Sequence, residues 1–115
     1  MECQSGVHYQ IIKIMKKRIY ISGKITGEDY EKTYKKFLLM EQKILSQSTV
    51  ENPIKVINPM KICKPEWNWE QCMRVCISKM LLCHEVWLLP DWVDSRGAKK
   101  EVCLCQEYGI KIVTT

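Results

Sequence analysis

The chain has 115 residues and a mass of 13.6 kDa, a size typical of one domain of about 100–150 residues. Hydrophobic residues make up 46% and charged residues 27%, which excludes a disordered tail and a collagen-like repeat. The net charge is +5, and no apolar run approaches the roughly 18 residues of a membrane helix. The N-terminus lacks the apolar core of a signal peptide, so we expect a cytoplasmic protein with no membrane contact.

Seven cysteines are many for this length, and an odd number cannot close into a complete set of disulfides. Cys72 and Cys76 have nearly the spacing of paired zinc ligands, with Cys63, Cys83 and His84 nearby. They fall in apolar helical patterns, however, where free cysteine behaves as a small buried hydrophobe. We therefore favour core packing and expect neither a metal nor a cofactor, with a zinc site as the alternative.

The first elements are a strand and a helix, which follow an N-terminal extension at 1–17 and open a domain at 18–115. A β-rich run at 19–21 predicts a buried strand. Apolar residues then recur at helical spacing over 28–46, with Thr26 as the predicted N-cap. The solvent face of this helix is predicted to carry Lys32, Lys35, Lys36 and Lys43.

The rest of the chain continues the alternation. The pattern predicts strands at 54–57, 86–89 and 110–113. Between them it predicts a helix that is opened by Trp67 and Trp69 and capped by Asn68 and Gln71, and a helix from Ser95 to Gly109. This order predicts an α/β fold of the three-layer, Rossmann-like or flavodoxin-like type, with about four parallel strands and helices on both faces. In such sheets ligands bind beyond the carboxyl ends of the strands.

The first candidate site is the SGKITG run at 22–27, between the first strand and the first helix. Its glycines let a ligand approach the backbone, and the helix N-terminus that follows favours an anion. Lys24 adds a positive charge. The spacing matches neither a Walker loop nor the GxGxxG fingerprint, so the run is read either as an anion site or as an ordinary tight turn.

The second candidate is Glu101, which falls within the buried stripe of the last helix. A carboxylate on the inward face of a helix is unusual. One interpretation is a nucleophile or base in a cleft, with Asp91 or Asp94 as the second carboxyl. The other is a first-turn acid that complements the helix dipole.

Two motifs together resemble the nucleoside 2-deoxyribosyltransferase-like superfamily. They are Ile19-Tyr20-Ile21-Ser22-Gly23-Lys24-Ile25-Thr26-Gly27 and Ser95-x-Gly97-x-x-x-Glu101. The chain is similar to the 2'-deoxynucleoside 5'-phosphate N-hydrolase branch. It looks still nearer to small bacterial and phage domains that share Val56-Ile57-Asn58-Pro59 and the Leu89-Pro90-x-Trp92 run. The resemblance covers about residues 18–113.

The resemblance implies that Glu101 attacks the anomeric carbon of a small (deoxy)nucleoside or nucleoside 5'-phosphate, which breaks the N-glycosidic bond by hydrolysis or transfer. It also implies that Tyr20 lies against the sugar and that the 5'-phosphate sits on the glycine loop and Ser95. Trp67, Trp69 or Trp92 can stack on the base, although core packing is their commoner role. The full set of predicted substrate-binding residues is Ser22, Gly23, Lys24, Ile25, Gly27, Asn58, Trp92, Ser95 and Gly97.

Two departures from the family pattern leave an alternative open. His84 stands where the family usually has an aspartate that helps to arrange the site. Relatives complete their site with a polar residue from a neighbouring subunit, well beyond the nucleophile, and the chain ends at Thr115. The alternative is a non-catalytic module that binds a nucleotide or another phosphorylated ligand.

The partner that we expect is a small nucleoside or nucleotide. A nucleic acid polymer is not expected, because the positive charge is spread over solvated faces without interleaved aromatic residues. Relatives form dimers, which implies a homodimer, and the tryptophan-rich region at 67–92 is the predicted interface.

Overall fold

The computed structural model describes residues 16–115, so the predicted N-terminal extension lies outside the described residues except for its last two positions. The strands are β1 (Lys17–Ser22), β2 (Ile54–Ile57), β3 (Glu85–Leu88) and β4 (Lys111–Thr114). The helices are α1 (Tyr30–Leu45), α2 (Pro59–Ile62), α3 (Trp69–Met80) and α4 (Arg96–Tyr108), and a 3-10 turn at Pro90–Asp94 joins β3 to α4.

The four strands form one parallel sheet in the order β2-β1-β3-β4. Within it, Tyr20 of β1 is paired with Ile57 of β2 and with Val86 of β3. The chain moves outward from β1 to β2 and then returns to β3 on the other side of β1. This reversal places the topological switch point at the carboxyl ends of β1 and β3, where parallel sheets bind ligands. The predicted α/β fold with four parallel strands is confirmed.

Helices cover both faces of the sheet and complete three layers. On one face α1 buries Phe37 against Ile19 and Ile21. On the other face α3 and α4 pack against Tyr20, with Met80 among the buried residues. Because side chains alternate along a strand, β1 turns its isoleucines to α1 and presents Tyr20 and Ser22 to α4.

The α1 N-cap is Asp29, whose side chain accepts a hydrogen bond from the Lys32 backbone N–H at 2.9 Å. The prediction of Thr26 as the cap was therefore wrong, because residues 26–28 form a turn and the helix begins only after Asp29. Two short helical segments, α2 and the 3-10 turn, had no helical prediction. The capping box at Asn68 and the left-handed Gly109 (φ 71°) that ends α4 are both confirmed.

Lys36 was predicted on the solvent face of α1, but its side chain is half-buried. It forms an ion pair with Asp91 of the 3-10 turn. Three of the cysteines are buried in the core as predicted: Cys76, Cys83 and Cys105. In residues 16–115 no group of three or more His, Cys, Asp or Glu side chains is arranged to hold a metal ion. Over the same residues, no helix has the length and apolar character that crossing a bilayer requires.

Candidate functional site

A cavity of about 570 Å³ opens at the carboxyl edge of the sheet. Its walls are the loop after β1, the segment from α2 through α3, and the first two turns of α4. Tyr20 and Glu101 lie among its lining residues. The cavity therefore occupies the switch point that the strand order defines.

Glu101 is 5% exposed and holds its carboxylate between two hydroxyl groups of β1. The Tyr20 hydroxyl donates to Oε2 at 2.7 Å, and the Ser22 hydroxyl donates to Oε1 at 2.6 Å. Tyr20 and Ser22 are two residues apart on β1, so their side chains point to the same face of the sheet. Helix α4 packs on that face and places Glu101 against both hydroxyl groups. Each carboxylate oxygen thus has one hydroxyl donor, which fixes the orientation of the group.

Burial controls the protonation of this cluster. It raises the pKa of Glu101 from 4.5 to about 7, against the opposing effect of the hydrogen bonds from Ser22 and Tyr20. Burial, with the nearby charge of Glu101, also raises the pKa of the Tyr20 phenol well above its usual value. Near neutral pH, Glu101 therefore exists as acid and carboxylate in comparable amounts, while Tyr20 remains a hydrogen-bond donor.

The loop after β1 is held by a clamp of two charged side chains. Asp91 accepts a hydrogen bond from the Lys24 backbone N–H at 3.1 Å, and Lys36 Nζ donates to the Lys24 carbonyl at 3.0 Å. Burial alone raises the pKa of Asp91, but the hydrogen bonds from Lys36 and the Lys24 backbone outweigh it and lower that pKa. A Cβ at Gly23 would lie 2.6 Å from the Leu89 side chain, so the loop requires glycine there.

The entrance carries positive charge beside a helix N-terminus. Ser95 caps α4 by accepting from the Ala98 backbone N–H at 3.0 Å, and the first N–H groups of a helix attract anions. Lys24, Lys64 and Arg96 line the same cavity. The arrangement favours a ligand with a negatively charged group.

Aromatic rings also line the cavity. Trp67 and Trp69 line the cavity, together with Tyr30 from the start of α1. The Arg96 guanidinium lies 3.8 Å from the Trp69 ring centroid, a cation–π contact that joins α4 to α3. Flat apolar rings beside charged groups suit a ligand that has both a planar and an anionic part.

Three cysteines line the cavity behind Tyr20: Cys63, Cys72 and Cys76. The sulfur atoms of Cys63 and Cys76 are 3.4 Å apart. Interaction with Cys63 lowers the pKa of the Cys76 thiol and raises that of Cys63. Cys83 and Cys105 do not line the cavity, and burial raises the pKa of each to about 11.

The structure brings most of the sequence-predicted site residues together. Those that line the cavity are Tyr20, Gly23, Lys24, Ile25, Asp94, Ser95, Gly97 and Glu101. Ser22 lies beneath them, where it holds Glu101. Asp94 is thus the second carboxyl group of the cavity wall.

Besides Ser22, four predicted site residues do not line the cavity. Asn58 is buried and caps α2 by accepting from the Met60 backbone N–H. Trp92 packs against the core on the α3–α4 face. Gly27 forms the turn before α1 with φ 82°, and Asp91 is occupied by the Lys36 pair and the Lys24 backbone.

His84 has a structural position at the amino edge of the sheet. Its Nδ1 accepts a hydrogen bond from the Arg18 backbone N–H at 2.9 Å, and its own N–H bonds the Arg18 carbonyl at 2.8 Å. These contacts extend the pairing of β1 with β3 on the side away from Glu101. The histidine is therefore no part of the cavity.

Arg96 and the cysteines of the cavity had no predicted role in the site. The position of Arg96 directly after the Ser95 cap was a usable signal, since such a residue lies at a helix N-terminus. The spacing of Cys72 and Cys76 puts both on one face of α3. Only the fold shows that this face meets Cys63 and Tyr20.

Comparison with known proteins gives one family. Residues 17–114 match the family described as a domain of unknown function, DUF4406. No curated protein and no solved structure matches the chain. The match spans nearly the whole of the described sheet and its helices, so the chain belongs to the DUF4406 family.

Proposed function

We propose that this protein cleaves or transfers the N-glycosidic bond of a small (deoxy)nucleoside or nucleoside 5'-phosphate. The observation that carries the proposal is the buried Glu101, held by two hydroxyl groups at the inner end of a cavity. A carboxylate fixed in this way suits attack on an anomeric carbon, as in retaining glycosidases. The motif resemblance of β1 and α4 points to the same chemistry.

In the proposed first step, a Glu101 oxygen bonds to the anomeric carbon as the carbon–nitrogen bond breaks and its electron pair leaves with the base. The leaving base takes up a proton, and the donor is Asp94, the second carboxyl group of the cavity wall. Water, or a second base, then attacks the same carbon, gives a proton to the Asp94 carboxylate and releases Glu101. Donation by Tyr20 and Ser22 keeps the carboxylate aimed through both steps.

A 5'-phosphate would lie between the loop after β1 and the N-terminus of α4. The clamp on Lys24 holds this loop in place, and Lys24 and Arg96 supply positive charge. The nucleobase would then face the wall formed by Trp67 and Trp69. Positive charge and aromatic rings line the same cavity, with Arg96 on Trp69 and Lys64 over Trp67, and this combination supports a nucleotide over a free sugar.

The test is incubation of the protein with each of the four common deoxynucleoside 5'-monophosphates and chromatography for free base. We expect release of base by the natural chain, and a loss of about 10³-fold or more in Glu101→Gln, because the nucleophile is gone. Glu107→Gln, an exposed position of the same helix, is the matched control and should retain activity. The rate should rise with pH through about 7, since attack requires ionised Glu101.

The alternative is a module that binds a nucleotide without turning it over. It is favoured by the raised pKa of Glu101, which leaves much of the group protonated at neutral pH. Calorimetric titration with the same nucleotides distinguishes the two functions. Binding without release of base from any of them would overturn the enzyme proposal and support the module.

A further inference from the structure

The wall of the cavity holds a pair of thiols whose sulfur atoms are in direct contact. Cys63 follows α2 and Cys76 lies in the second half of α3, and their sulfur atoms are 3.4 Å apart. A disulfide bond requires about 2.05 Å between the sulfur atoms, so a small side-chain movement is enough to form one. Both residues line the cavity, which gives a small reagent a path to them.

We propose that Cys63 and Cys76 form an oxidative modification site that a hydroperoxide converts into a disulfide. This assignment rests on the paired thiols and their access from the cavity, and does not depend on the glycosidic reaction. It concerns side chains that the proposed reaction leaves unused. Outside this pair, Cys103 is exposed on α4, while Cys83 and Cys105 are buried in the core.

The pair also has the asymmetry that peroxide chemistry needs. The contact with Cys63 lowers the pKa of Cys76 against the opposing effect of burial, and the thiolate is the nucleophilic form of cysteine. Cys76 would therefore attack first, and Cys63 would resolve. Cys72, one helical turn before Cys76, lines the same cavity and is the competing partner.

Hydrogen peroxide is the two-electron oxidant. The Cys76 thiol gives up its proton, and its sulfur then takes one peroxide oxygen and becomes a sulfenic acid, while the second oxygen leaves as hydroxide. The Cys63 sulfur attacks the sulfenic sulfur, the S–S bond forms, and the sulfenic oxygen takes the Cys63 proton and leaves as water. The proton that Cys76 released converts the hydroxide to water, so two thiols lose two hydrogens and hydrogen peroxide becomes two waters.

The disulfide would close the segment between residues 63 and 76 into a loop. This segment carries Trp67 and Trp69 to the cavity, so oxidation would fix the aromatic wall at both its ends. A reductant such as dithiothreitol would reverse the cross-link.

The chain offers a sharp test by mass spectrometry. Trypsin does not cut between Lys64 and Pro65, so Cys63 and Cys72 share the peptide 62–74, whereas Cys76 lies in the peptide 75–79. After near-stoichiometric hydrogen peroxide and alkylation of the remaining thiols, we expect the two peptides to be linked. The linkage should persist in Cys72→Ser, which leaves Cys63 and Cys76 as the only cysteines in these peptides, and disappear after dithiothreitol.

Cys63→Ser should lose the linked species, and Cys103→Ser, at an exposed position of α4, should form it as the natural chain does. In the natural chain Cys76 should lose its thiol faster than Cys103, because its contact with Cys63 favours the thiolate form. The proposal is wrong if the link survives in Cys63→Ser, is missing in Cys72→Ser, or forms no faster than Cys103 is oxidised. None of these readouts requires base release, so failure of the proposed glycosidic activity leaves the result interpretable.

Discussion

Two buried glutamates, Glu101 of α4 and Glu85 of β3, have pKa values that are shifted in opposite directions. Glu101 has hydroxyl donors only, and burial raises its pKa to about 7. Glu85 is buried as well, but a hydrogen bond and ion pair from Lys17 at 2.6 Å and a hydrogen bond from the Trp87 indole outweigh burial and lower its pKa. A neighbouring cation thus separates a structural carboxylate from one that is available for chemistry.

This contrast predicts opposite effects of pH on stability. The folded chain holds a proton on Glu101 that the unfolded chain releases above about pH 4.5, so ionisation of Glu101 costs stability as pH rises from there through about 7. Relative to the natural chain, Glu101→Gln should therefore gain stability with rising pH. The gain is on the order of 3 kcal/mol, since each pH unit between the two pKa values contributes about 1.4 kcal/mol.

Glu85→Gln is the matched control, with the reverse sign. Because the folded-state pKa of Glu85 is lowered, its contribution is present above the unfolded pKa and is lost as pH falls. The variant should thus be most destabilised near neutral pH. Urea unfolding at about pH 5 and about pH 8.5 measures both; equal effects of Glu101→Gln at the two pH values would refute the buried-acid account.

At the scale of elements, the N-cap residue determines where α1 begins. Thr26 and Asp29 are both acceptable N-caps by residue type, but only Asp29 accepts a backbone hydrogen bond, from Lys32. Thr26 is exposed on the loop that lines the cavity. The residues between the two candidates form a turn that includes Gly27 with φ 82°, and the helix begins only after this turn.

We expect Asp29→Ala to lower the free energy of unfolding by about 1 kcal/mol, the usual cost of a lost N-cap. Asp29→Asn should recover most of this loss, because the amide oxygen can accept the same hydrogen bond. Thr26→Ala is the control and should change stability little. Chemical denaturation of the three variants checks the prediction, and an equal loss in Thr26→Ala would show that both residues hold the helix start.

The elements that the sequence predicted are those with a clear local pattern. The strands are short β-rich runs, the three long helices have helical spacing, and the buried position of Glu101 in α4 followed from that helical spacing. The segments α2 and Pro90–Asp94 span four and five residues, too few to show a period. The ion pair between Lys36 and Asp91 was out of reach for another reason, since it joins side chains 55 positions apart.

At the scale of the whole molecule, the sheet separates two apolar clusters. One joins α1 to the sheet through Phe37, Met40 and Ile44. The other joins α3 and α4 to the opposite face, where Tyr20 and Glu101 meet. The central strands β1 and β3 contribute to both clusters. A loss of packing on the α1 face should therefore also destabilise the face that holds the cavity.

Phe37→Ala tests this coupling far from the cavity. Phe37 is fully buried, and its truncation should cost about 3–5 kcal/mol from lost burial and the space left behind. Leu39→Ala on the same helix removes a side chain that is 56% exposed and should cost little. If the domain unfolds as one cooperative unit, circular dichroism and tryptophan fluorescence will report the same lowered urea midpoint in Phe37→Ala. Separate midpoints for the two signals would instead mean that the α1 layer unfolds independently of the layer that holds Glu101.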